Sequence, residues 1–185
     1  MYIFGNLKAG FLNAWLGVLL IFLASWTILA TDKKARRRLS STSWCSPREK
    51  KLVWSGTFLL FIIFVFSIFV PLQLNTNWFY IGIAIFLVGY ICLVISYFNY
   101  IKTAGDKSKT KGFYNISRNP IYLFTSVALL GISIASASLI MLILVIIHFI
   151  ISHFVILAEE RHFLHIYKNT YKKYMKRVRR YFLFF

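Results

Sequence analysis

Acidic residues are the scarcest charged group in this chain. Five Asp and Glu stand against 22 Lys and Arg, for a formal net charge of +17 over 185 residues. With so few carboxylates in a basic, apolar chain, the adjacent pair Glu159-Glu160 needs a compensating interaction. Cysteine is scarce too. Cys45 lies in a basic stretch and Cys92 inside an apolar run. Two such residues make no disulfide framework, and pairing them would drag a loop into a bilayer, so both are expected to be free thiols. The apolar runs lack internal charge, which argues against a transporter or channel pathway. The four histidines, His148, His153, His162 and His165, show no metal-ligand spacing. No recognisable nucleic-acid module accompanies the basic excess, so no nucleic-acid partner is expected.

What is abundant is apolar. Hydrophobic residues make up 59% of the chain and aromatic residues 19%. They fall in long blocks separated by Lys/Arg clusters, the pattern of an integral membrane protein with interfacial Trp and Tyr. The length predicts a single domain, 1–185, with a three-helix part over 1–101 and a second part over 102–185 that holds the motifs, a helical hairpin and the tail. The fold class is therefore an all-α integral membrane protein with about five transmembrane helices, a C-terminal helical hairpin and a basic amphipathic C-terminal helix.

The five apolar segments run from about Phe11 to Ala30, Leu52 to Leu72, Trp78 to Ile101, Ile121 to Ser136 and Leu139 to Ala158. A dense basic loop is expected over Thr31–Lys51 and a polar stretch over Lys102–Arg118. Gly82 and Gly89, one heptad apart, suit close packing of a neighbouring helix. Ser136-Ala137-Ser138 turns segment four into segment five. With five spans, both basic loops and the basic tail share one side, and positive-inside makes that side cytoplasmic. The N-terminus is then outside, and the sequon Asn115-Ile116-Ser117 falls on the cytoplasmic side.

In the tail, Phe163, Tyr167, Tyr171, Tyr174, Val178 and Tyr181 recur at steps of four, four, three, four and three. That is one face of an α-helix, with Lys and Arg on the others. An interfacial helix is expected, lying on the bilayer or over the ends of the bundle.

Two stretches carry chemistry. Arg118-Asn119-Pro120-Ile121-Tyr122 stands where a charged stretch meets segment four. Pro suits a helix first turn, where its missing N–H has no partner to lose. Ser117 or Asn119 can cap that helix. Its first-turn N–H groups can receive a carboxylate, and Arg118 can add a bidentate contact. Glu159-Glu160 stands where segment five leaves the lipid. Neighbouring helix positions point about 100° apart, so one of the pair can meet a ligand while the other supports it. Tyr114 and Tyr122 flank the turn and can wall an aromatic ring or hydrogen-bond a ribose.

Gly112-Phe113-Tyr114 followed by Ser117-Arg118-Asn119-Pro120-Ile121-Tyr122-Leu123 resembles the G-x-Y…R-[HN]-P-x-Y signature of membrane methyltransferases. These comprise isoprenylcysteine carboxyl methyltransferase and phospholipid N-methyltransferase relatives. Glu159-Glu160, Phe163, Tyr167, Tyr171, Tyr174, Val178 and Arg180 resemble the family's C-terminal ending. The chain departs from the pattern at Asn119, where His is common, at Phe163, where Leu is usual, at Phe124, where a small residue is frequent, and at Lys168, where Gly is usual. The resemblance implies S-adenosylmethionine as methyl donor, with S-adenosylhomocysteine as product, in a pocket at the cytoplasmic end covered by the tail. It implies Tyr114, Arg118, Asn119, Pro120, Tyr122, Glu159, Glu160, His165 and Tyr171 as cofactor-binding candidates. Arg118, Glu160 and Arg180 are the catalytic candidates.

The expected acceptor is a lipophilic or lipidated molecule taken from the bilayer. An isoprenylcysteine-type carboxylate is favoured, since it needs no general base, and phosphatidylethanolamine is the alternative. A basic lipid-binding protein without catalysis, or a membrane reductase using NADPH, are the rival classes.

Overall fold

The computed structural model describes residues 7–102 and 112–181. Within them lie six α-helices and one 3-10 turn: α1 (Trp15–Ala30), α2 (Lys33–Ser40), α3 (Pro47–Ser67), α4 (Asn77–Lys102), the turn Gly112–Asn115, α5 (Pro120–Ala135) and α6 (Leu139–Arg177). This is an all-α membrane protein. α3, α4 and α6 are long and apolar enough to cross a bilayer, and α1 and α5 are shorter apolar helices. Residues 103–111, in the polar stretch, and 182–185, at the end of the tail, lie outside the described residues.

Apolar side chains fill the core and also cover the exterior. Ile63, Leu93, Leu129, Ile132 and Met141 are fully buried among the helices, while Trp54, Phe58, Val88 and Phe154 face outward at 50% exposure or more. An apolar exterior of this kind belongs in lipid, where the backbone bonds are satisfied within each helix.

The glycine heptad packs as the spacing predicts. A Cβ on Gly82 would lie 2.2 Å from the Ala135 backbone N, and one on Gly89 2.6 Å from that of Ala128. From the other side, a Cβ on Gly131 would lie 2.3 Å from the Phe86 N. α4 and α5 therefore meet backbone to backbone along the second half of α5, which fixes that helix against the bundle.

Several boundaries differ from the sequence expectation, each for a local reason. The expected loop Thr31–Lys51 is largely helical. Asp32 caps α2, its Oδ1 accepting from the N–H groups of Lys34 and Ala35 at 2.8 and 2.9 Å. Ser46, Pro47 and Glu49 form a capping box, so α3 begins at Pro47 and not at Leu52. At its far end α3 stops at Ser67, because the next residues pair with the chain before α1. Asn13 Nδ2 donates to the carbonyls of Lys8 and Ile68 at 2.7 and 2.6 Å, and Ala14 N donates to Val70 O at 2.9 Å. The same pairing delays α1 from Phe11 to Trp15.

The hairpin between α5 and α6 is as expected. Ala137 takes φ 48°, and the Ser138 hydroxyl accepts from Met141 N to cap α6. The tail follows the second of the two expected placements: α6 breaks at Lys168, where φ is 40° and ψ −118°, and the helical segment beyond it, ending at Arg177, lies over the end of the bundle and not on the bilayer surface. Beyond that break the chain turns back over the start of α5.

Candidate functional site

The site is built where three chain segments meet at one end of the bundle. The first is the turn before α5. Gly112 opens it at φ 61°, a left-handed conformation with no room for a side chain, since a Cβ would lie 2.3 Å from Asn99 Nδ2. Tyr114 then packs in a buried cluster with Ala35 of α2 and Tyr100 of α4. Its ring belongs to the floor of the site, not to an open wall. Burial, reinforced by neighbouring tyrosines and Glu159, pushes its hydroxyl well above the ordinary tyrosine value, so it stays protonated.

The second segment is α6 at Glu159-Glu160, and the third is the tail. Glu160 and Arg118 are both buried, with side chains only 5% and 6% exposed. Arg118 Nε donates to Glu160 Oε1 at 2.9 Å and its NH2 group to Oε2 at 3.2 Å. The remaining guanidinium nitrogen donates to the carbonyls of Met175 and Val178 at 3.2 and 2.8 Å. Arg180 closes the other side, its Nε and NH2 groups donating to Glu160 Oε2 at 3.1 and 2.9 Å. Asn119 Nδ2 donates to Glu160 Oε1 at 3.2 Å. The bidentate partner anticipated for Arg118 is thus Glu160 itself, 42 residues away.

Backbone contacts lock the tail in place. Arg118 N donates to Arg179 O and the Ser117 hydroxyl to Arg180 O, both at 2.9 Å. The Tyr174 hydroxyl donates to Tyr114 O at 2.7 Å. The periodic face of the tail accounts for the burial of Tyr174 and Val178.

The neighbouring Glu159 does a different job. It is half-buried and accepts from the Tyr122 hydroxyl at 2.8 Å. The two adjacent carboxylates therefore divide as the helix geometry requires. Glu160 is enclosed by cations of its own chain, and Glu159 is held at the more accessible edge. Tyr171, half-buried, packs on Phe163 and Tyr174 with ring centroids 5.5 and 5.7 Å apart. Asn119 occupies the N-cap position of α5 but gives no side-chain cap, because its amide is turned toward Glu160. Pro120 is the buried first residue of that helix.

His165 is exposed and makes no hydrogen bond to this cluster among the described residues. The sequence does not point to the α2–α3 loop, yet that loop forms another wall. Trp44 stacks on His162 at 5.3 Å, and Arg161 pairs with Glu49 at 2.8 Å. Cys45, free and 8% exposed, sits in the same loop. Burial first, then the Glu49 and Glu159 carboxylates, push its thiol above the ordinary value. The sequence signals for this wall were the S-P-x-E capping box and Glu49 itself.

Fold and site together define a membrane-embedded helical bundle whose buried ion-pair cluster joins an Arg-Asn-Pro turn to a Glu-Glu helix exit. The chain belongs to the phospholipid methyltransferase family, whose model matches residues 56–170, more than half of its length. No curated protein and no solved structure matches the chain. It is a membrane methyltransferase.

Proposed function

We propose that the protein transfers the methyl group of S-adenosylmethionine to a lipophilic acceptor drawn from the bilayer, at the cytoplasmic face. One observation carries the reading. The two motifs, far apart in sequence, meet in one polar cluster that the tail covers. With the Lys/Arg-rich loops inside, the C-terminus is cytoplasmic and the N-terminus outside.

The residues present suit the methyl donor. The first turn of α5 has N–H groups with no side-chain cap, a fitting receiver for a carboxylate. Glu159, held by Tyr122, offers a carboxylate to a cation or a hydroxyl at the accessible edge. Tyr171 and Phe163 offer aromatic surface to a purine. Arg118, Glu160, Arg180 and Asn119 hold these elements in register, and Tyr114 supports them from below. When bound, the donor supplies a methyl group on a sulfonium, ready for displacement. The protein contributes alignment of acceptor and donor and exclusion of water by the tail.

Two acceptors fit. An isoprenylcysteine-type carboxylate attacks without help. The amine of an ethanolamine phospholipid must first lose a proton. The description of the matched family favours the phospholipid. Incubating the purified protein with radiolabelled donor and total membrane lipid tests the function. Base treatment of the product separates the acceptors, since an ester releases labelled methanol and a methylated amine does not. No label in any lipid fraction would refute the proposal.

A further inference from the structure

The four histidines of α6 sit in four different surroundings. His148 is 5% exposed, with its Nδ1 unpartnered inside the packed bundle. His162 is stacked under Trp44, and His165 is exposed. His153 is half-buried, and its Nδ1 lies 2.9 Å from the hydroxyl of Tyr181.

That contact belongs to the architecture of the site. His153 precedes Glu160 by seven residues, so the two project from nearly the same face of α6, about 10 Å apart along the axis. Arg180 and Tyr181 are neighbours on the returning tail. One bonds Glu160 and the other meets His153. The Tyr181 ring also packs 5.8 Å from Phe149. Adjacent positions Ile150 and Phe154 are each 50% exposed on the apolar exterior. His153 therefore stands at the seam between the ion-pair cluster and the lipid-facing surface, where an acceptor arriving sideways from the bilayer would present its head group.

We propose that His153, oriented by Tyr181, is the proton acceptor that readies an amine-bearing lipid for methylation. This rests on the ethanolamine reading above. The role requires the tautomer in which Nδ1–H donates to the Tyr181 oxygen, which leaves the Nε2 lone pair free to take a proton. The phenol does not compete for the proton's role, because burial pushes Tyr181 up to about 12 and keeps it neutral. Among the described residues, the titratable side chain hydrogen-bonded to His153 is Tyr181. Arg180 and Glu160, further along the same face, are paired with each other and with Arg118.

The step balances. The acceptor ammonium gives one proton to His153 Nε2 and becomes a neutral amine. Its lone pair forms the new N–C bond to the methyl carbon as the C–S bond breaks, with that bonding pair staying on sulfur. The product is a methylated ammonium, and the imidazolium returns its proton to water.

The test uses the full chain in nanodiscs of phosphatidylcholine doped with phosphatidylethanolamine, and reads kcat/KM against pH. The wild type should show an acidic limb, with the rate rising as the pH rises. His153→Gln should remove that limb and lower the rate by about 100-fold or more, while equilibrium binding of S-adenosylmethionine stays at the wild-type value. Tyr181→Phe should displace the limb without removing it. A His153→Gln protein with the wild-type rate and limb overturns the proposal. If that variant does not fold, a flat wild-type profile between pH 5 and 8 overturns it just as well. A wild type that binds the donor and methylates farnesylcysteine, but never phosphatidylethanolamine, overturns the role of His153 and leaves the methyltransferase reading standing. A wild type that fails to bind the donor overturns both.

Discussion

Replacing Glu160 with Gln should loosen the whole site, and the size of the effect can be worked from its contacts. Five N–H groups converge on this carboxylate, two from Arg118, two from Arg180 and one from Asn119. Three of the five reach Oε2. An amide keeps the shape but removes the charge, and at one of its two ends turns donors against donors. Arg118, 6% exposed, would then keep its charge without a counter-charge. Breaking a buried pair by removing one partner costs about 3–5 kcal/mol. For a chain of this length that lowers Tm by roughly 6–20 °C. Arg180 is different. Its side chain is 21% exposed, and its loss leaves Glu160 still paired with Arg118. Arg180→Gln should therefore cost only about 1 kcal/mol, after discount for solvent screening, or roughly 2–4 °C. Thermal unfolding in detergent compares the two variants directly. A second assay follows from the tail, which Arg118 grips through the Met175 and Val178 carbonyls. Trypsin should cut among Lys172 to Arg180 faster in Glu160→Gln than in the wild type. Equal melting of the two variants, with unchanged cleavage, would refute the view that Glu160 is the centre of the cluster.

Other outcomes follow from single positions. Lys168 is held at φ 40° and ψ −118°, a conformation that favours Gly, so Lys168→Gly should raise Tm by about 2–4 °C, whereas Lys172→Gly in the regular helix beyond should lower it by a similar amount. Gly82→Ala would press a Cβ to 2.2 Å from the Ala135 backbone, so α4 and α5 must separate; loss of about 2 kcal/mol or more, or failure to fold, should appear in melting curves. Cys45, with its thiol raised by burial and by Glu49 and Glu159, carries less thiolate in the folded protein than in the unfolded chain at any pH below that raised value. Its alkylation by iodoacetamide at about pH 8 should be correspondingly slow until the protein is unfolded.

The Lys168 position shows how far a departure in sequence can be read. It stands where the resembled pattern has Gly, and the backbone there takes a glycine-like turn anyway. The break is needed because the chain beyond it must return to lay its carbonyls on Arg118. The period-3.6 aromatic face was legible in the tail, and it marks the residues that become buried on the site, Tyr174 and Val178. It could not show which of the two surfaces the tail helix would cover, since periodicity carries no information about which element a face will meet. Likewise Ser46-Pro47-Arg48-Glu49 holds a capping box in plain view, but its basic setting reads as a loop until Ser46 and Glu49 are seen to exchange bonds.

By itself, the sequence determined that this chain lives in a membrane, roughly where its apolar helices fall, and that two polar motifs stand at helix ends, because hydrophobic length and charge clusters are properties of contiguous chain. Tertiary structure alone decided how the scarce carboxylates are spent. It gave Glu160 to Arg118 and Arg180 and Glu159 to Tyr122, and it set Tyr181 against His153. Those pairings depend on a glycine-lined contact between α4 and α5 and on one bent turn in α6, and the distances such packing creates are not written along the chain.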